Sequence, residues 1–252
     1  MILCTDIGNT RIRCALGTKD SYVQAAVDTN TVSDASSFVA FLQDKFGESI
    51  GLITGGIFSS VVPHKNADVL KAISVLNKNA HMKPVDITRM GVDFSRYGSV
   101  LGEDRAVCSA MAAKKYGAPV VVIDFGTATT INIVDENSTY IGGAILAGVQ
   151  TGIDALANGT ARLPQFDVTG NGYADIKVIG QDTYECLVSG AVIGAAFAAN
   201  GYVRHVAALF ENPTVIITGG NATKVMPNCD FDFIYVPHLL TEGLFMLYET
   251  TI

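Results

Sequence analysis

Apolar and polar positions along this chain divide it into short strands and amphipathic helices that follow one another in turn. Met1 to about Leu16 reads as an apolar strand, a Gly-Asn-Thr turn, and a second strand with Ile12, Cys14 and Leu16 on alternate positions. A further short strand is expected near Tyr22–Val27. After Ser33 the apolar residues Phe38, Phe41, Leu42 and Phe46 take helical spacing, and Gly47 closes the run. Ile50–Phe58 predicts an apolar strand leading into Ser59-Ser60-Val61-Val62-Pro63, and a helix follows over Asn66–Asn77. An Ala-rich helix is expected over Asp104–Tyr116, stopped by Gly117 with Pro119 beyond it. The β-branched run Val120–Ile123 has the character of a strand buried in mid-sheet. Helices are expected over Gly148–Thr160, Asp182–Leu209 and about His238–Glu249, and Val215–Ile217 is a strand entering Gly219-Gly220-Asn221.

The second half repeats the first. Thr5-Asp6-Ile7-Gly8-Asn9-Thr10 aligns with Ile123-Asp124-Phe125-Gly126-Thr127-Ala128, and each follows an apolar strand and leads into another. This strand–Asp-x-Gly–strand unit predicts an α/β chain made by internal duplication. Its two lobes, 1–117 and 118–252, would carry a cleft between them. No Pro/Ser-rich linker separates the halves.

Composition narrows the function. Hydrophobic residues make up 49% of the 252 and charged residues only 16%, so the chain can bury a large core and is not disordered. A formal net charge of −7 argues against general nucleic-acid or anionic-membrane binding, which needs a basic face. It leaves room for an anionic ligand held by backbone amides. Cys4, Cys14, Cys108, Cys186 and Cys229 form no C-x-x-C pair and have no zinc-ligand spacing, the pattern of buried reduced thiols in a cytosolic protein. The first six residues lack the basic start of a signal peptide. Cys186–Val203 is uncharged for 18 residues, but Ser189, Asn200 and three glycines make it a packed internal helix rather than a membrane span.

The chemistry concentrates in a few places. In Asp6-Ile7-Gly8-Asn9-Thr10 a carboxylate at a strand end meets a turn whose glycine lets a phosphate approach the main chain, with Arg13 adding charge nearby. Alone this pattern is equally that of an ordinary hairpin turn. Asp124-Phe125-Gly126-Thr127-Ala128-Thr129-Thr130 repeats it, and the pair supplies two phosphate cradles and two acids for one metal-bound polyphosphate. Phosphoryl transfer is mostly positioning and electrostatic stabilisation, so these parts suffice for it. Thr218-Gly219-Gly220-Asn221 follows a third strand, where paired glycines permit a flat group to lie on the backbone, although a routine strand-to-helix turn reads the same way. Gly102-Glu103-Asp104-Arg105 opens a helix. An acid there is commonly just a favourable helix-start charge; the sharper reading makes Asp104 the acceptor of a substrate hydroxyl proton and Arg105 an anion binder. There is no G-x-x-x-x-G-K-[ST] loop, no protein-kinase motif set and no G-x-S-x-G elbow.

Taken together these residues resemble the type III pantothenate kinases, in the superfamily of acetate kinase, actin and the heat-shock ATPases. The resemblance runs through D-I-G-N-T at 6–10, S-S-V-V-P at 59–63, G-E-D-R at 102–105, D-F-G-T-A-T-T at 124–130 and G-G-A-I at 142–145. It continues through Ala155-Leu156 and T-A-R-L-P at 160–164 to T-G-G-N-A at 218–222. It implies two duplicated ribonuclease H-like lobes of the actin-like ATPase kind with a nucleotide cleft between them. It implies a cytoplasmic homodimer that phosphorylates pantothenate with ATP and Mg²⁺, the first step of coenzyme A synthesis. The ATP phosphates would meet Asp6, Ile7, Gly8, Asn9, Thr10, Arg11, Ile12, Arg13 and Thr127. Pantothenate would meet Gly102, Glu103, Asp104, Arg105 and Thr183, with Asp104 the proton acceptor. Asp6 and Asp124 would be the metal ligands, Asp124 for a monovalent cation such as K⁺ or NH₄⁺.

Three departures from the family pattern stand out. Ser95-Arg96-Tyr97-Gly98 replaces a Tyr-x-Asn-Pro segment and leaves Tyr97 in place of the pantothenate-side tyrosine. Asn132 stands where many members carry a second acid, and Ala147-Gly148 replaces Pro-Gly. Two other readings use the same residues: a non-catalytic regulator of the same fold, and a kinase for another small hydroxyl compound. Intact Asp6, Asp104 and Asp124 speak against the regulator.

Overall fold

The computed structural model describes residues 1–168 and 176–250 of the chain. The chain divides into two compact units. One comprises Met1–Val92, Gly98–Met111 and the stretch from His238 onward; the other comprises Asp93–Tyr97 and Ala112–Pro237.

The first unit begins with β1 (Ile2–Ile7), β2 (Arg11–Thr18) and β3 (Ser21–Asp28), an antiparallel meander. Helix α1 (Ala35–Phe46) follows. Its start is a capping box in which the Asp34 carboxylate accepts the Ser37 N–H at 2.8 Å, which satisfies a backbone donor that the helix itself cannot. Phe38, Leu42 and Phe46 form its buried face, as their spacing predicts. The expected strand over Ile50–Phe58 starts later, at β4 (Gly55–Ser60), because Gly47–Leu52 closes into a 3₁₀ segment. Helix α2 (Pro63–Leu76) starts three residues before its expected first residue, with Pro63 in its first turn, where no backbone N–H is needed. Then come β5 (His81–Pro84) and α3 (Glu103–Tyr116), whose first turn lies in this unit. The sheet order is β3-β2-β1-β4-β5, with β4 parallel to β1 and β5 parallel to β4.

The second unit repeats that order. Here β6 (Val120–Phe125), β7 (Ala128–Val134) and β8 (Tyr140–Ala147) form the meander. Helices α4 (Val149–Gly159), α5 (Thr183–Val188) and α6 (Gly194–Ala207) follow, then β9 (Thr214–Thr218), α7 (Ala222–Val225) and β10 (Ile234–Tyr235). The sheet reads β8-β7-β6-β9-β10, with β9 parallel to β6 and β10 parallel to β9. The same connectivity in both units is the structural form of the sequence duplication. The last helix, α8 (Leu239–Thr250), packs on β1 and β4 of the first unit, where Tyr22 of β3 stacks on Phe245 at 5.2 Å.

The apolar run after Cys186 is a core helix. Helices α5 and α6 join through one π-helical turn, Ser189–Ile193, and Val188, Val192, Ala196, Ala199 and Val203 pack into the second unit's core. Buried Asn200 accepts the Asp230 N–H at 3.1 Å and donates to the Asn228 carbonyl at 3.4 Å. Its polar atoms are thus satisfied inside protein. The cysteines depart from expectation: Cys4, Cys14 and Cys108 are buried, but Cys186 is exposed and Cys229 half-buried, and all are free thiols.

Candidate active site

In the first unit the β1–β2–β4 ladders collect the polar residues. Register sets Asp6 opposite Arg13 on one side and Ser59 on the other. Asp6 is only 5% exposed. Its carboxylate accepts Ser59 Oγ at 3.0 Å and meets Arg13 Nη1 at 3.4 Å. Burial pushes the Asp6 carboxyl up to about 6; Arg13 and Ser59 oppose the shift, and the charge of Asp104 adds to it. The two carboxylates on which the sequence reading leans are therefore electrostatic neighbours. The unfavourable charge on buried Asp6 is what a cation would relieve.

The bend after Asp6 is braced from behind. Gly8 N–H donates to the Arg11 carbonyl at 3.1 Å, and the Thr29 hydroxyl donates to the Gly8 carbonyl at 2.7 Å. Ile7 and Ile12 are wholly buried and can offer a ligand only backbone, whereas Asn9, Thr10 and Arg11 are exposed at the tip. A Cβ on Gly8 would sit 2.9 Å from the Arg11 carbonyl, so this tight turn has no room for a side chain.

Asp104 lies in the first turn of α3 and is half-buried. Its Oδ1 accepts the Arg105 N–H at 2.8 Å, and the same oxygen would lie 2.7 Å from a Cβ at position 102. Gly102 is thus the residue that lets the carboxylate fold back. Glu103 sends its carboxylate elsewhere: Oε2 accepts the Ser60 N–H at 2.8 Å. Burial raises the Glu103 carboxyl, the Ser60 N–H opposes this, and the Asp104 charge adds to it.

In the second unit the equivalent bend is one residue tighter. Phe125 pairs with Thr129, whereas Ile7 pairs with Ile12. Asp124 sits opposite Thr130 and Thr218 on its two flanking strands. Glycines shape its surroundings. A Cβ on Gly126 would lie 3.1 Å from Asp124 Oδ1, and one on Gly219, at φ +101°, would overlap that oxygen. The bend is pinned by Thr151 Oγ1 donating to the Thr127 carbonyl at 2.7 Å and by Gly148 N–H donating to it at 3.1 Å. Asn221 ties the Gly219-Gly220 turn to the same bend, its N–H donating to the Phe125 carbonyl at 2.9 Å and its side-chain amide to Gly126 at 3.3 Å. The Thr127 side chain is exposed.

The departures also find places in this unit. Tyr140 donates its hydroxyl to Asn132 Oδ1 at 2.9 Å, and Asn132 Nδ2 donates to Thr130 Oγ1 at 3.0 Å. Tyr97 packs edge-on against Tyr140 with ring centroids 5.4 Å apart, and Phe94 lies 5.6 Å from it. Tyr97 is therefore part of an aromatic cluster. Thr183 is exposed at the start of α5, with Asp182 capping the helix through the Glu185 N–H at 2.8 Å.

Three contributors carried no role in the sequence reading: Ser59, Thr151 and Asn221. A Ser-Ser pair ending an apolar strand was the available signal for the first, and the Thr218-Gly219-Gly220-Asn221 turn for the last; nothing in the local sequence singles out Thr151. Among the described residues no group of three or more His, Cys, Asp or Glu side chains could hold a metal by itself. That suits Mg²⁺, which is usually held by one or two carboxylates together with nucleotide phosphates. The crowded, buried Asp6 has the chemistry for such a role.

The family model for type III pantothenate kinase matches residues 2–205. A type III pantothenate kinase of Brevibacillus brevis is 31% identical over 259 residues, covering 99% of this chain and 98% of its own. One from Oleidesulfovibrio alaskensis is 33% identical, covering 98% and 96%. Among solved structures, a candidate Baf family transcriptional activator from Campylobacter jejuni superposes with a TM-score of 0.63 at 21% identity, over 99% of this chain and 98% of that one. The activator of 2-hydroxyisocaproyl-CoA dehydratase from Clostridium difficile, solved with ADPNP bound, gives 0.55 at 12% identity over 99% and 96%. At these identities the structural matches speak for the fold alone.

Proposed function

Since the chain belongs to the type III pantothenate kinases, we propose that it transfers the γ-phosphoryl group of ATP to the primary hydroxyl of pantothenate, giving 4′-phosphopantothenate for coenzyme A synthesis. The observation that carries the reading is the link from Asp6 through Ser59 and Ser60 to Glu103, which joins the phosphate-binding bend to the helix start that bears Asp104.

The backbone of Asp6–Arg13, with the Asn9, Thr10 and Arg11 side chains, receives ATP phosphates; in the second unit Thr127 is a phosphate-binding residue. Gly102, Asp104 and Arg105 receive pantothenate, with Arg105 opposite its carboxylate; in the second unit Thr183 is a pantothenate contact. Asp104 accepts a hydrogen bond from the substrate hydroxyl and aims its oxygen at the γ-phosphorus. As the new O–P bond forms, the bond to the β-phosphate oxygen breaks, ADP leaves, and the hydroxyl proton passes to Asp104 and then to water. In a loose transition state that proton leaves late, so orientation is the larger part of what Asp104 supplies. Mg²⁺, when bound with ATP, would neutralise phosphate charge, and Asp6 is the residue to hold it in the first unit.

We also assign Asp124, with Thr130 and Thr218 beside it in the ladder, as the seat of a monovalent cation, K⁺ or NH₄⁺. Asn132 leaves this site with one negative charge fewer than many relatives have. The enzyme is soluble, and we place it in the cytoplasm as a homodimer, which light scattering on the purified protein tests. The test of the reaction itself is the product. Mass spectrometry after incubation with ATP, Mg²⁺, K⁺ and a panel of small alcohols and acids should find pantothenate singly phosphorylated and the other compounds unchanged. Another compound phosphorylated in preference would replace the substrate.

A further inference from the structure

The Gly102–Arg105 segment carries two adjacent carboxylates with separate partners. Asp104 folds over Gly102 and lies near Asp6, whereas the Glu103 carboxylate is committed to the main chain of Ser60 at 2.8 Å. Ser60 is the last residue of β4 and is itself held firmly. It pairs with Ile7 in the ladder, its hydroxyl donates to Asn66 Oδ1 at 2.6 Å, and that hydroxyl accepts the Val62 N–H at 3.1 Å. The residue before it, Ser59, holds Asp6 at 3.0 Å. Two successive residues of one strand therefore grip Asp6 and Glu103, and Glu103 and Asp104 are successive residues of one helix. The five form one chain of short links from Asp6 to Asp104 that sets the spacing of the two functional acids.

We propose that Glu103 is a positioning residue: its carboxylate ties the first turn of α3 to the end of β4 and so sets Asp104 against Asp6, without itself touching pantothenate. This rests on the reading of Asp104 as the group that orients the substrate hydroxyl. Half-burying an acid beside another is electrostatically unfavourable, and burial and the Asp104 charge both raise the Glu103 carboxyl. A helix needing only a favourable first-turn charge has Asp104 for that already. Reach to Ser60 is the property that Glu103 adds.

Two substitutions separate reach from charge. Glu103→Gln keeps an acceptor oxygen at the same reach and loses the charge. Glu103→Asp keeps the charge and falls short of Ser60 by one methylene. With the full chain, Glu103→Gln should keep kcat within a few-fold of the parent. Glu103→Asp should lose kcat roughly 10- to 100-fold, with KM for pantothenate and ATP within about twofold, because small misplacements of a reacting group cost rate rather than binding. Amide exchange gives a readout independent of activity, since the Ser60 N–H should stay protected in the Gln variant and exchange faster in the Asp variant. The reverse order, Asp active and Gln impaired, would show that charge is what matters and overturn the proposal. A rise in the pantothenate KM at constant kcat would make Glu103 a substrate contact and also overturn it, as would unchanged kcat in both variants. If Glu103→Asp does not fold, the Gln variant decides: parental kcat with a protected Ser60 amide supports the strut, and loss of either overturns it. A parent enzyme without pantothenate-dependent turnover would sink the functional reading, while Ser60 exchange would still report on the strut.

Discussion

Ser59 donates its hydroxyl to Asp6 at 3.0 Å from the adjacent parallel strand, at the position where the β1–β4 register sets the two residues side by side. That bond and Arg13 only partly offset the burial that drives the Asp6 carboxyl from 3.8 to about 6. A site prepared for a cation and phosphates is unfavourable in their absence, and this cost falls on the free protein's stability.

The sign follows from linkage. With its folded pKa raised, Asp6 binds a proton more tightly in the folded state. Its stabilising contribution is complete below pH 3.8 and is lost as pH rises through about 6. Above that window the ionised group costs on the order of 2–3 kcal/mol relative to a neutral one. Asp6→Asn, measured without metal or nucleotide, should therefore be more stable than the parent at pH 8. Its advantage should shrink to nothing near pH 4, while its turnover collapses. Paired thermal melts across that range check this; a parent more stable than the variant at pH 8 would contradict it.

Asp104→Asn should lower kcat by roughly 10²- to 10⁴-fold, the usual span for a group that handles a reacting proton. The amide keeps the shape but cannot take the hydroxyl proton. Stability should change little, and the KM for ATP should hold because the phosphate-binding bend is untouched. Steady-state kinetics beside a thermal melt make the check.

The Gly219-Gly220 turn offers an internal contrast. Gly219 has φ +101°, and a Cβ there would overlap Asp124 Oδ1 and come within 2.6 Å of the Phe125 backbone, whereas at Gly220 nothing lies within 4 Å. Gly219→Ala should cost at least about 1 kcal/mol from backbone strain alone and raise the ATP KM by displacing Asp124. Gly220→Ala should leave the melting temperature almost unchanged. Equal behaviour of the two variants would remove Gly219 from its shaping role.

The assignment of a monovalent cation to Asp124 predicts that replacing Na⁺ by K⁺ or NH₄⁺ at constant ionic strength raises turnover several-fold. Asp124→Asn should abolish that response. A parent indifferent to the cation would mean that Asn132 in place of an acid has removed the site.

Much of this was legible in the chain itself. The two Asp-x-Gly bends follow long apolar runs, and such runs are strong signals for core strands. Their recurrence revealed the duplication that both sheets display as one strand order. Weak elements were harder to see. Strand β8 contains Gly142 and Gly143, and Gly143 belongs there because the Ile131 carbonyl occupies the space of a Cβ. Its glycines erase the alternation that marks a strand. Strands β5 and β10 are too short to show any period. The links that hold the site were invisible for another reason. Ser59 reaches Asp6 across 53 residues and Ser60 reaches Glu103 across 43, through register and helix placement that spacing along the chain does not encode.

The most direct trial is ADP release by the purified protein, in ATP, Mg²⁺ and K⁺, with pantothenate first absent and then added. The account predicts slow release that accelerates sharply on addition, in step with pantothenate consumed, and no acceleration for Asp104→Asn. ADP release indifferent to pantothenate, or an Asp104→Asn enzyme that responds as the parent does, would contradict it.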